Sequence, residues 1–341
     1  MSEGIACLGS LIVDVIKEID AYPALGNLAT VTDVSYATGG LVPNCLLDLA
    51  KMDPSLPLEA VGLVGRDAYG GRVAGALSAA GIDTRHIGRH PSLRTSFTDV
   101  MSCGRERSFF HYRGANAAFG PGHIPLDGLR AGILHFGYIL LLDALDAPDP
   151  AYGTVLAGVL AQARARGFKT SVDVVSEQGD RFARCVIPSL RHADYCVVNE
   201  VEASAVTGIA CRDSAGALLP ERMRPICEKL RALGVKAWAV VHCPEGSFAA
   251  EESRFLSQPS LALPKSEIVG KTGAGDAFCA GVLYGAGQGM ELREALRLAT
   301  AAAAASLTQA SASGGLRPVG ELYQMIDRYG FEDGGTECLS H

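Results

Sequence analysis

A glycine-rich turn that contains one carboxylate is the segment of this chain best suited to chemistry. The segment from Gly270 to Gly281 reads GKTGAGDAFCAG, and a helical pattern follows it as far as Gly289. Glycines allow a tight turn in which successive N–H groups can bind one anion at the start of a helix. Asp276 lies in the first turn of that helix, where its carboxylate could accept a proton from an attacking hydroxyl. This pattern favours phosphoryl transfer, and its alternative is an ordinary helix start capped by an aspartate.

The elements that must position this turn alternate between buried strands and helices. Helical patterns run from Gly70 to Ala80 and from Ala151 to Arg166, and an alanine-rich helix is expected over 299–305. The apolar runs typical of buried parallel strands lie at residues 5–13, 58–64, 131–136, 170–175, 195–198 and 237–241. This alternation predicts an α/β fold with a mostly parallel sheet that is flanked by helices and binds ligands beyond the carboxyl ends of its strands.

Two segments interrupt the alternation of strands and helices. Residues 15–38 and 92–113 show the polar alternation of exposed strands and turns, so we expect them to pair as a small β-sheet lid. The length of 341 residues fits one large domain or two smaller ones, and the chain contains no internal repeat or low-complexity linker. We therefore assign residues 1–330 to a single domain and residues 331–341 to a C-terminal tail.

Charge and composition exclude several classes of function. The chain has 30 Lys and Arg against 37 Asp and Glu, a formal charge of −7 that argues against a nucleic-acid partner. No apolar run approaches the roughly 18 residues of a membrane span, and the first residues lack the positive charge of a signal peptide. Ten cysteines are scattered without a CxxC pair, as expected for reduced thiols in a core. We expect a cytoplasmic protein without a nucleic-acid or membrane partner.

Several motifs, taken in order along the chain, resemble those of the ribokinase-like (pfkB) carbohydrate kinase family. The segment from Thr272 to Phe278 is similar to the C-terminal family signature DTxGAGDxF. The other family motifs are matched by Gly9 with Asp14, by Gly39 and Gly40 with Asn44, by GLVGRDAYG at 62–70, by GANAAF at 114–119 and by NEVEASAVTG at 199–208. Because these matches span nearly the whole chain, the resemblance implies a ribokinase-like fold throughout.

The resemblance also implies an activity, namely ATP-dependent transfer of the γ-phosphoryl group to a hydroxyl of a sugar or similar polyol. Asp276 would be the catalytic base, and the backbone N–H groups of Gly273, Ala274 and Gly275 would bind the phosphoryl oxygens. The residues expected to bind the acceptor are Asp14, Gly39, Gly40 and Asn44. A carboxylate accepts two donors and suits a vicinal diol, whereas an amide offers a hydroxyl both a donor and an acceptor.

For the nucleotide, the resemblance implies ATP with Mg2+. Asn199 and Glu202 would organise Mg2+ and its waters, since hard cations take oxygen ligands. Without the resemblance, the same two residues are a helix N-cap and an acidic first turn. The family motif TxGxxG beside the nucleotide is reduced here to Gly246, within VHCPEG at 241–246.

The start of the C-terminal signature departs from the family pattern. Gly270 stands where relatives have an Asp that helps to bind an activating monovalent cation, and Lys271 follows it. Our hypothesis is that the Lys271 ammonium replaces this cation or reaches the phosphates. The alternative is a surface lysine on a loop, which leaves the need for a monovalent cation open.

Arginines in the second lid segment are candidates for binding an acidic acceptor. The positively charged or titratable residues in and beside this segment are Arg89, Arg94, Arg105, Arg107, His111 and Arg113. Arg113 lies next to the GANAAF motif, so we expect it to contact the substrate through its guanidinium. The segment 136–143 contains no counterpart of the substrate-binding Glu of ribokinases, and SVDVVSE from Ser171 lacks the DPN-like sequence of fructokinases.

Two rival functions follow from the same residues. A nucleoside kinase would use the aromatic side chains of Phe109, Phe110 and Tyr112 as a slot for a base. A catalytically weak sugar-binding or regulatory protein would account for the changes at Gly270 and in VHCPEG, although Asp276 and its glycines are intact. Lid strands have exposed edges that are usually covered, so we also expect a homodimer.

Overall fold

Nine strands form the central sheet of this protein, and four more form a second, smaller sheet. The computed structural model describes residues 4–104, 106–177 and 179–332; Arg105 and residues 333–341 of the expected tail lie outside the described residues. The strands are β1 (Ile5–Gly9), β2 (Ile12–Ile19), β3 (Val31–Gly39), β4 (Leu58–Gly65), β5 (Asp83–His90), β6 (Ser96–Cys103), β7 (Glu106–Tyr112), β8 (Ile133–Ile139), β9 (Pro148–Asp149), β10 (Gly153–Thr154), β11 (Lys169–Val174), β12 (Tyr195–Asn199), β13 (Trp238–Cys243), β14 (Gly246–Glu251) and β15 (Arg254–Pro259).

Helices connect the strands and cover both faces of the central sheet. The helices are α1 (Leu41–Met52), α2 (Ala68–Ala79), α3 (Gly114–Ala117), α4 (Asp143–Asp146), α5 (Val155–Ala165), α6 (Phe182–Cys185), α7 (Ile187–Leu190), α8 (Glu200–Thr207), α9 (Pro220–Ala232), α10 (Ala274–Gly287), α11 (Leu292–Leu307) and α12 (Val319–Tyr329). Helices α1, α2, α10, α11 and α12 pack on one face of the sheet. Helices α5, α8 and α9 pack on the other face, so two separate cores hold the sheet between them.

The central sheet has the strand order β5-β4-β1-β8-β11-β12-β13-β14-β15. Neighbouring strands are parallel from β5 to β13, and only β14 and β15 are added antiparallel at one edge. Apolar side chains point to both faces of these strands; all eight residues of β4, for example, are buried. The prediction of a mostly parallel sheet flanked by helices is confirmed.

The small sheet has the strand order β3-β2-β6-β7. Strands β2 and β3 pair antiparallel, β2 and β6 pair parallel, and β6 and β7 pair antiparallel. Its strands come from within residues 12–39 and 96–112, close to the two segments that interrupt the helix and strand alternation.

The first apolar run differs from the sequence expectation, because residues 5–13 are two strands rather than one. Strand β1 ends at Gly9, and β2 begins at Ile12 in the small sheet. A Cβ on Gly9 would lie 1.9 Å from the Gly137 carbonyl oxygen, so the backbones of β1 and β8 approach closely there. The chain leaves the central sheet after this point, and Ser10 Oγ accepts a hydrogen bond from the Leu41 N–H at 3.1 Å. Asp14 therefore lies on a strand of the small sheet.

The helix expected from Ala151 begins later, at Val155. Thr154 is its N-cap, and its side chain accepts a hydrogen bond from the Ala157 N–H at 3.2 Å. The preceding residues form the short antiparallel pair β9 and β10. The local cap therefore decides where this helix starts.

Candidate active site

The carboxyl ends of the central strands and the start of α10 enclose a cavity of about 240 Å³, here called the small cavity. Its lining residues are Tyr138, Asp173, Val174, Val175, Ser176, Asn199, Glu202, His242, Gly273, Gly275 and Asp276. This is the edge of the sheet at which open α/β folds bind ligands. The residues of the glycine-rich turn thus meet side chains from β8, β11 and β13.

The glycine-rich turn starts α10 in a form that only glycine adopts without strain. Gly273 is the N-cap with φ of 84°, and a Cβ there would lie 2.3 Å from the Ala312 carbonyl oxygen. No side-chain cap bonds the first N–H groups of α10. The first N–H groups of a helix have no partner within the helix, so these groups are available to an anion.

Asp276 is buried in the first turn of α10 and is held by two donors. The Tyr138 hydroxyl donates to its Oδ1 at 2.6 Å, and the Asn44 side-chain amide donates to its Oδ2 at 2.9 Å. Burial raises the pKa of Asp276 to about 6, although both hydrogen bonds favour the ionised form. Burial and the Asp276 carboxylate raise the pKa of Tyr138 well above its usual value, so the phenol remains a donor. At neutral pH, Asp276 is therefore an ionised and oriented carboxylate.

Among the residues that the sequence predicts for the acceptor, Asn44 bonds Asp276 directly and Gly39 adjoins Asp14. Gly40 is the N-cap of α1, the helix that carries Asn44. A Cβ on Gly39 would lie 2.5 Å from Asp14 Oδ2, so the glycine leaves room for this carboxylate. Burial raises the pKa of Asp14 to about 6, and its charge contributes to the raised pKa of Asp276.

Asn199 and Glu202 form a complete capping box at the start of α8. Asn199 Oδ1 accepts hydrogen bonds from the Val201 and Glu202 N–H groups, and Glu202 Oε2 accepts one from the Asn199 N–H at 3.0 Å. Ser176 Oγ and Asn199 Nδ2 each donate to Glu202 Oε1 at 2.8 Å. The same two residues line the small cavity, so the motif is both a helix cap and part of the cavity wall.

Three buried carboxylates share the small cavity. Burial raises the pKa of Glu202 to about 7. Burial, followed by the charges of Glu202 and Asp276, raises the pKa of Asp173 well above its usual value. No Lys or Arg is among the described residues of the cavity wall. The wall thus offers concentrated negative charge and oxygen ligands, the environment that a hard divalent cation requires.

A second and larger cavity, of about 570 Å³, lies on the other side of the start of α10. Much of its wall is apolar and includes Leu261, Leu263, Phe278, Ala303 and Leu307. Gly246 and Lys271 also line this cavity. Their assignment to the nucleotide stays a prediction. The two cavities share Asn199, His242 and Gly275, so they adjoin each other across the glycine-rich turn.

Two arginines of the second lid segment, Arg113 and Arg107, make different contacts. Arg113 donates to the Leu140 carbonyl oxygen at 3.0 Å and pairs with Asp143 at 2.6 Å and with Glu177 at 3.5 Å. It lines neither cavity, and its expected contact with substrate stays a prediction. Arg107, on β7, donates to Thr272 Oγ1 at 2.9 Å. This bond connects the small sheet to the glycine-rich turn.

Sequence reasoning assigned no role to Tyr138, Asp173, Ser176 or His242, all of which line the small cavity. The His242 ring packs against the Phe278 ring with centroids 5.0 Å apart, and burial lowers the pKa of His242 to about 4, so it is neutral at neutral pH. Ser176 and His242 directly follow the predicted strands 170–175 and 237–241, and Tyr138 lies two residues after the predicted strand 131–136. Taking polar residues just beyond strand ends as a group would have found these three, whereas Asp173 lies within the predicted strand 170–175 and gave no such signal.

A buried carboxylate beside helix N–H groups, between two adjoining cavities of an α/β sheet, is an arrangement that suits a small-molecule kinase. A profile of the pfkB family carbohydrate kinases matches residues 2–318. The chain belongs to this family and is a carbohydrate kinase.

Individual relatives agree with this membership. The ribokinase of Arabidopsis thaliana is 27% identical over 299 residues, which are 87% of this chain and 74% of that protein. The ribokinase of Bacillus subtilis is 23% identical over 330 residues, which are 94% of this chain and 99% of that protein. The structure of Arabidopsis thaliana ribokinase complexed with ribose and ATP is similar with a TM-score of 0.77 and 24% identity, covering 96% of this chain and 99% of that one. The predicted ribokinase-like fold is therefore confirmed.

No helix within residues 4–104, 106–177 and 179–332 combines the length and the apolar character needed to cross a membrane.

Proposed function

We propose that this protein transfers the γ-phosphoryl group of ATP to a hydroxyl of a small sugar or sugar-like polyol. Asp276 acts as the general base, and the backbone N–H groups of Gly273, Ala274 and Gly275 bind the phosphoryl oxygens. The observation that carries this proposal is the Asp276 carboxylate, held by Tyr138 and Asn44 beside the unpaired N–H groups of α10. Base and anion site thus lie within one turn of one helix.

The acceptor would lie partly in the small cavity and partly between the lining residues of that cavity and Asp14. Asp14 and Asn44 bind sugar hydroxyls, and the reacting hydroxyl donates to the free lone pairs of the Asp276 carboxylate. Asp276 takes the proton as the hydroxyl oxygen bonds to the γ-phosphorus and the bond from phosphorus to the β–γ bridging oxygen breaks. The N–H groups at the start of α10 stabilise the charge on the transferred group because they are already oriented towards it.

ATP would occupy the larger cavity and reach the small cavity at the glycine-rich turn. The apolar wall formed by residues such as Leu263, Phe278 and Leu307 suits the base. Asn199, His242 and Gly275 line both cavities and therefore mark where the phosphates would pass. The complex of the Arabidopsis thaliana ribokinase with ribose and ATP supports a site for both molecules on this fold.

Mg2+ fits the residues of the small cavity. Asp173, Ser176, Asn199 and Glu202 offer oxygen atoms, and the buried carboxylates among them lack a neighbouring cationic side chain in the described part of the wall. We assign Glu202 to the cation with Asn199, directly or through water. When bound, Mg2+ would neutralise charge on the phosphates.

We further propose that the Lys271 ammonium supplies the positive charge that a monovalent cation supplies in relatives. Lys271 lines the larger cavity, which supports contact with phosphate oxygens. Gly270 offers no carboxylate to a cation, and a Cβ there would lie 2.9 Å from the Gln309 carbonyl oxygen. Activity is expected to be the same in K+ and in tetramethylammonium buffers. Strong stimulation by K+ would contradict this role for Lys271.

The small sheet also supports the proposal of a homodimer. Exposed large apolar residues of this sheet and of the connection between β2 and β3 are Tyr22, Leu25, Leu28, Val31, Val34, Tyr36, Phe109, Phe110 and Tyr112. A patch of this kind on a sheet with two open edges is typical of an interface, and a second copy of the same sheet would cover it symmetrically. The expected cytoplasmic location stays a prediction.

An assay of ADP formation over sugars, sugar acids and nucleosides with Mg2+ and ATP tests the proposed reaction. One sugar or polyol should stimulate ADP formation, and Asp276→Asn should lower that rate by about 10²-fold to 10⁴-fold. The control Asp327→Asn changes an exposed carboxylate on α12 and should retain activity. Stimulation by nucleosides alone would favour the nucleoside kinase. Binding of acceptors without turnover would favour the binding protein.

A further inference from the structure

A cluster of buried sulfur and nitrogen ligands lies beneath the small cavity. Cys7 on β1, Cys45 on α1 and His135 on β8 are completely buried, and Cys279 on α10 is 2% exposed. All three cysteines are free thiols. Asp173 borders this cluster and also lines the small cavity. The proposed phosphoryl transfer uses none of the thiols and does not use the imidazole.

The topology of the sheet brings these side chains together. Cys7 and His135 are register partners on the adjacent strands β1 and β8, and His135 and Ser171 are partners on β8 and β11. Helices α1 and α10 cover this row, since both pack on the same face of the sheet. Cys279 follows Asp276 by one helical turn, so the cluster lies directly below the start of α10.

The ring of His135 is oriented as in a metal ligand. Its Nδ1 lies 2.9 Å from Ser171 Oγ, and its Nε2 lies 3.4 Å from Cys279 Sγ. In metal sites the second ring nitrogen is held by a hydrogen bond in this way, which fixes the tautomer and the direction of the ligating nitrogen. The Ser171 hydroxyl therefore presents Nε2 to the sulfur atom.

The distances match a tetrahedral ion. Bonds of about 2.0 Å to nitrogen and about 2.3 Å to sulfur place the two ligand atoms of tetrahedral Zn2+ roughly 3.5 Å apart. The observed separation of Nε2 and Sγ is 3.4 Å. His135, Asp173 and Cys279 each offer one ligand atom, and these three atoms lie within 4.8 Å of one another. These three side chains supply three ligands and leave the fourth position of a tetrahedral ion to water.

We propose that Cys279, His135 and Asp173 form a binding site for a thiophilic divalent cation of the Zn2+ type, with water as the fourth ligand. Thiol and imidazole ligands select such ions over Mg2+, which prefers oxygen. Asp173 connects the site to the small cavity, and this connection is the entry path. On binding, Cys279 releases its thiol proton to solvent, and the cation neutralises the resulting thiolate and the Asp173 carboxylate.

Titration of the full chain with Co2+ under a phosphine reductant tests this site without reference to activity. We expect one equivalent to produce a thiolate-to-cobalt charge-transfer band and the intense visible bands of tetrahedral Co2+, and Zn2+ to abolish both. An ion bound only by the oxygen ligands of the small cavity would give neither band. Failure of the wild-type protein to show the charge-transfer band would overturn the proposal.

Matched variants locate the site. Cys279→Ser should remove the charge-transfer band, and Ser171→Ala should weaken Zn2+ binding by about 10-fold to 100-fold because it frees the ring of His135. The control Cys227→Ser changes a buried thiol of α9 in the other core and should leave the band unchanged. A Cys279→Ser variant with the wild-type circular dichroism spectrum and an unchanged band would show that the ion binds elsewhere.

Discussion

At the scale of single residues, the side chains around Asp276 hold a buried charge that costs stability and that the proposed base requires. The carboxylate is 7% exposed and carries charge at neutral pH inside a core. Tyr138 and Asn44 orient it without neutralising it, because each donates a hydrogen bond but carries no charge. A base with a pKa close to the working pH is also the most effective in proton transfer.

The pH dependence of catalysis should report the pKa of Asp276. Since the base must be ionised, kcat/KM should fall as the pH decreases through about 6. The hydrogen bond from Tyr138 lowers this pKa, so Tyr138→Phe should shift the acidic limb of the profile to higher pH. Ser176→Ala, which removes a donor to Glu202, should shift this limb much less. If the acidic limb of the profile lies at the same pH in wild type and in Tyr138→Phe, a group other than Asp276 limits activity.

The substitution Asp276→Asn is expected to lower activity and to make the protein more stable than wild type. Burial raises the pKa of Asp276 from 3.8 to about 6, which corresponds to about 3 kcal/mol against the ionised form. This preference for the protonated carboxyl stabilises the fold below pH 4 and is lost as the pH rises through about 6. Asn44 Oδ1 has no hydrogen-bond partner and can accept from the new amide after rotation of its own amide group.

Urea denaturation at several pH values checks this effect on stability. At pH 7, the free energy of unfolding should rise by roughly 1–3 kcal/mol in Asp276→Asn, and the difference from wild type should decrease towards pH 4. An Asp276→Asn variant that is less stable than wild type at pH 7 would contradict the destabilisation assigned to the buried carboxylate charge.

At the scale of elements, the start of α10 joins three parts of the molecule. Gly273 packs against the backbone of Ala312, and Gly275 lies under His242 of β13, where a Cβ would be 3.2 Å from the imidazole Cε1. Arg107 of the small sheet bonds Thr272 from the other side. The proposed anion site is thus enclosed by elements that are far apart in the chain.

Gly273→Ala should damage both the fold and catalysis. Its φ of 84° and the 2.3 Å approach of a Cβ to the Ala312 carbonyl oxygen force the turn to move. We expect a loss of about 2 kcal/mol in the free energy of unfolding and, because an oriented N–H group is displaced, about 10²-fold in kcat. Denaturant titration and the ADP assay measure these effects.

Gly289→Ala is the matched control for this prediction. Gly289 also has a positive φ, of 68°, but nothing lies within 4 Å of a Cβ there. This variant should lose about 1 kcal/mol of stability through backbone strain and retain its kcat. Equal effects of the two variants on kcat would indicate that the turn tolerates a side chain and does not bind the anion closely.

At the scale of the whole molecule, the central sheet and the small sheet have different surroundings. The central sheet is enclosed by two cores, whereas six of the nine residues of β3 are exposed. An exposed apolar sheet that carries Asp14 would be covered and positioned by a second copy of itself. The proposed homodimer would in this way link dimerisation to the proposed acceptor site.

Val34→Asp should therefore dissociate the homodimer. Val34 is 45% exposed on β3 at the edge of the small sheet, where a charge would oppose burial against a second copy. Val269→Asp is the control, because Val269 is 63% exposed but lies outside the small sheet. Sedimentation velocity should show a dimer for wild type and Val269→Asp and a monomer for Val34→Asp. A monomeric wild-type protein would refute the interface.

The fold class and the glycine-rich turn could be predicted because both depend on local patterns. Apolar runs and helical periodicity identify buried strands and helices, and the glycines before Asp276 identify a tight turn at a helix start. The start of α5 was harder to predict, because the short strand pair β9 and β10 precedes it and Thr154 is its N-cap.

The amino-acid sequence by itself determined the alternation of strands and helices, the glycine-rich turn and the family membership, since each is written in neighbouring residues. Only the tertiary structure decided that Asn44 and Tyr138, which are 232 and 138 residues from Asp276 in the chain, hold its carboxylate. It also decided that residues 5–13 divide between two sheets, through the close approach of Gly9 to Gly137. Contacts of this kind depend on how strands of separate segments align, and no periodicity within one segment encodes that alignment.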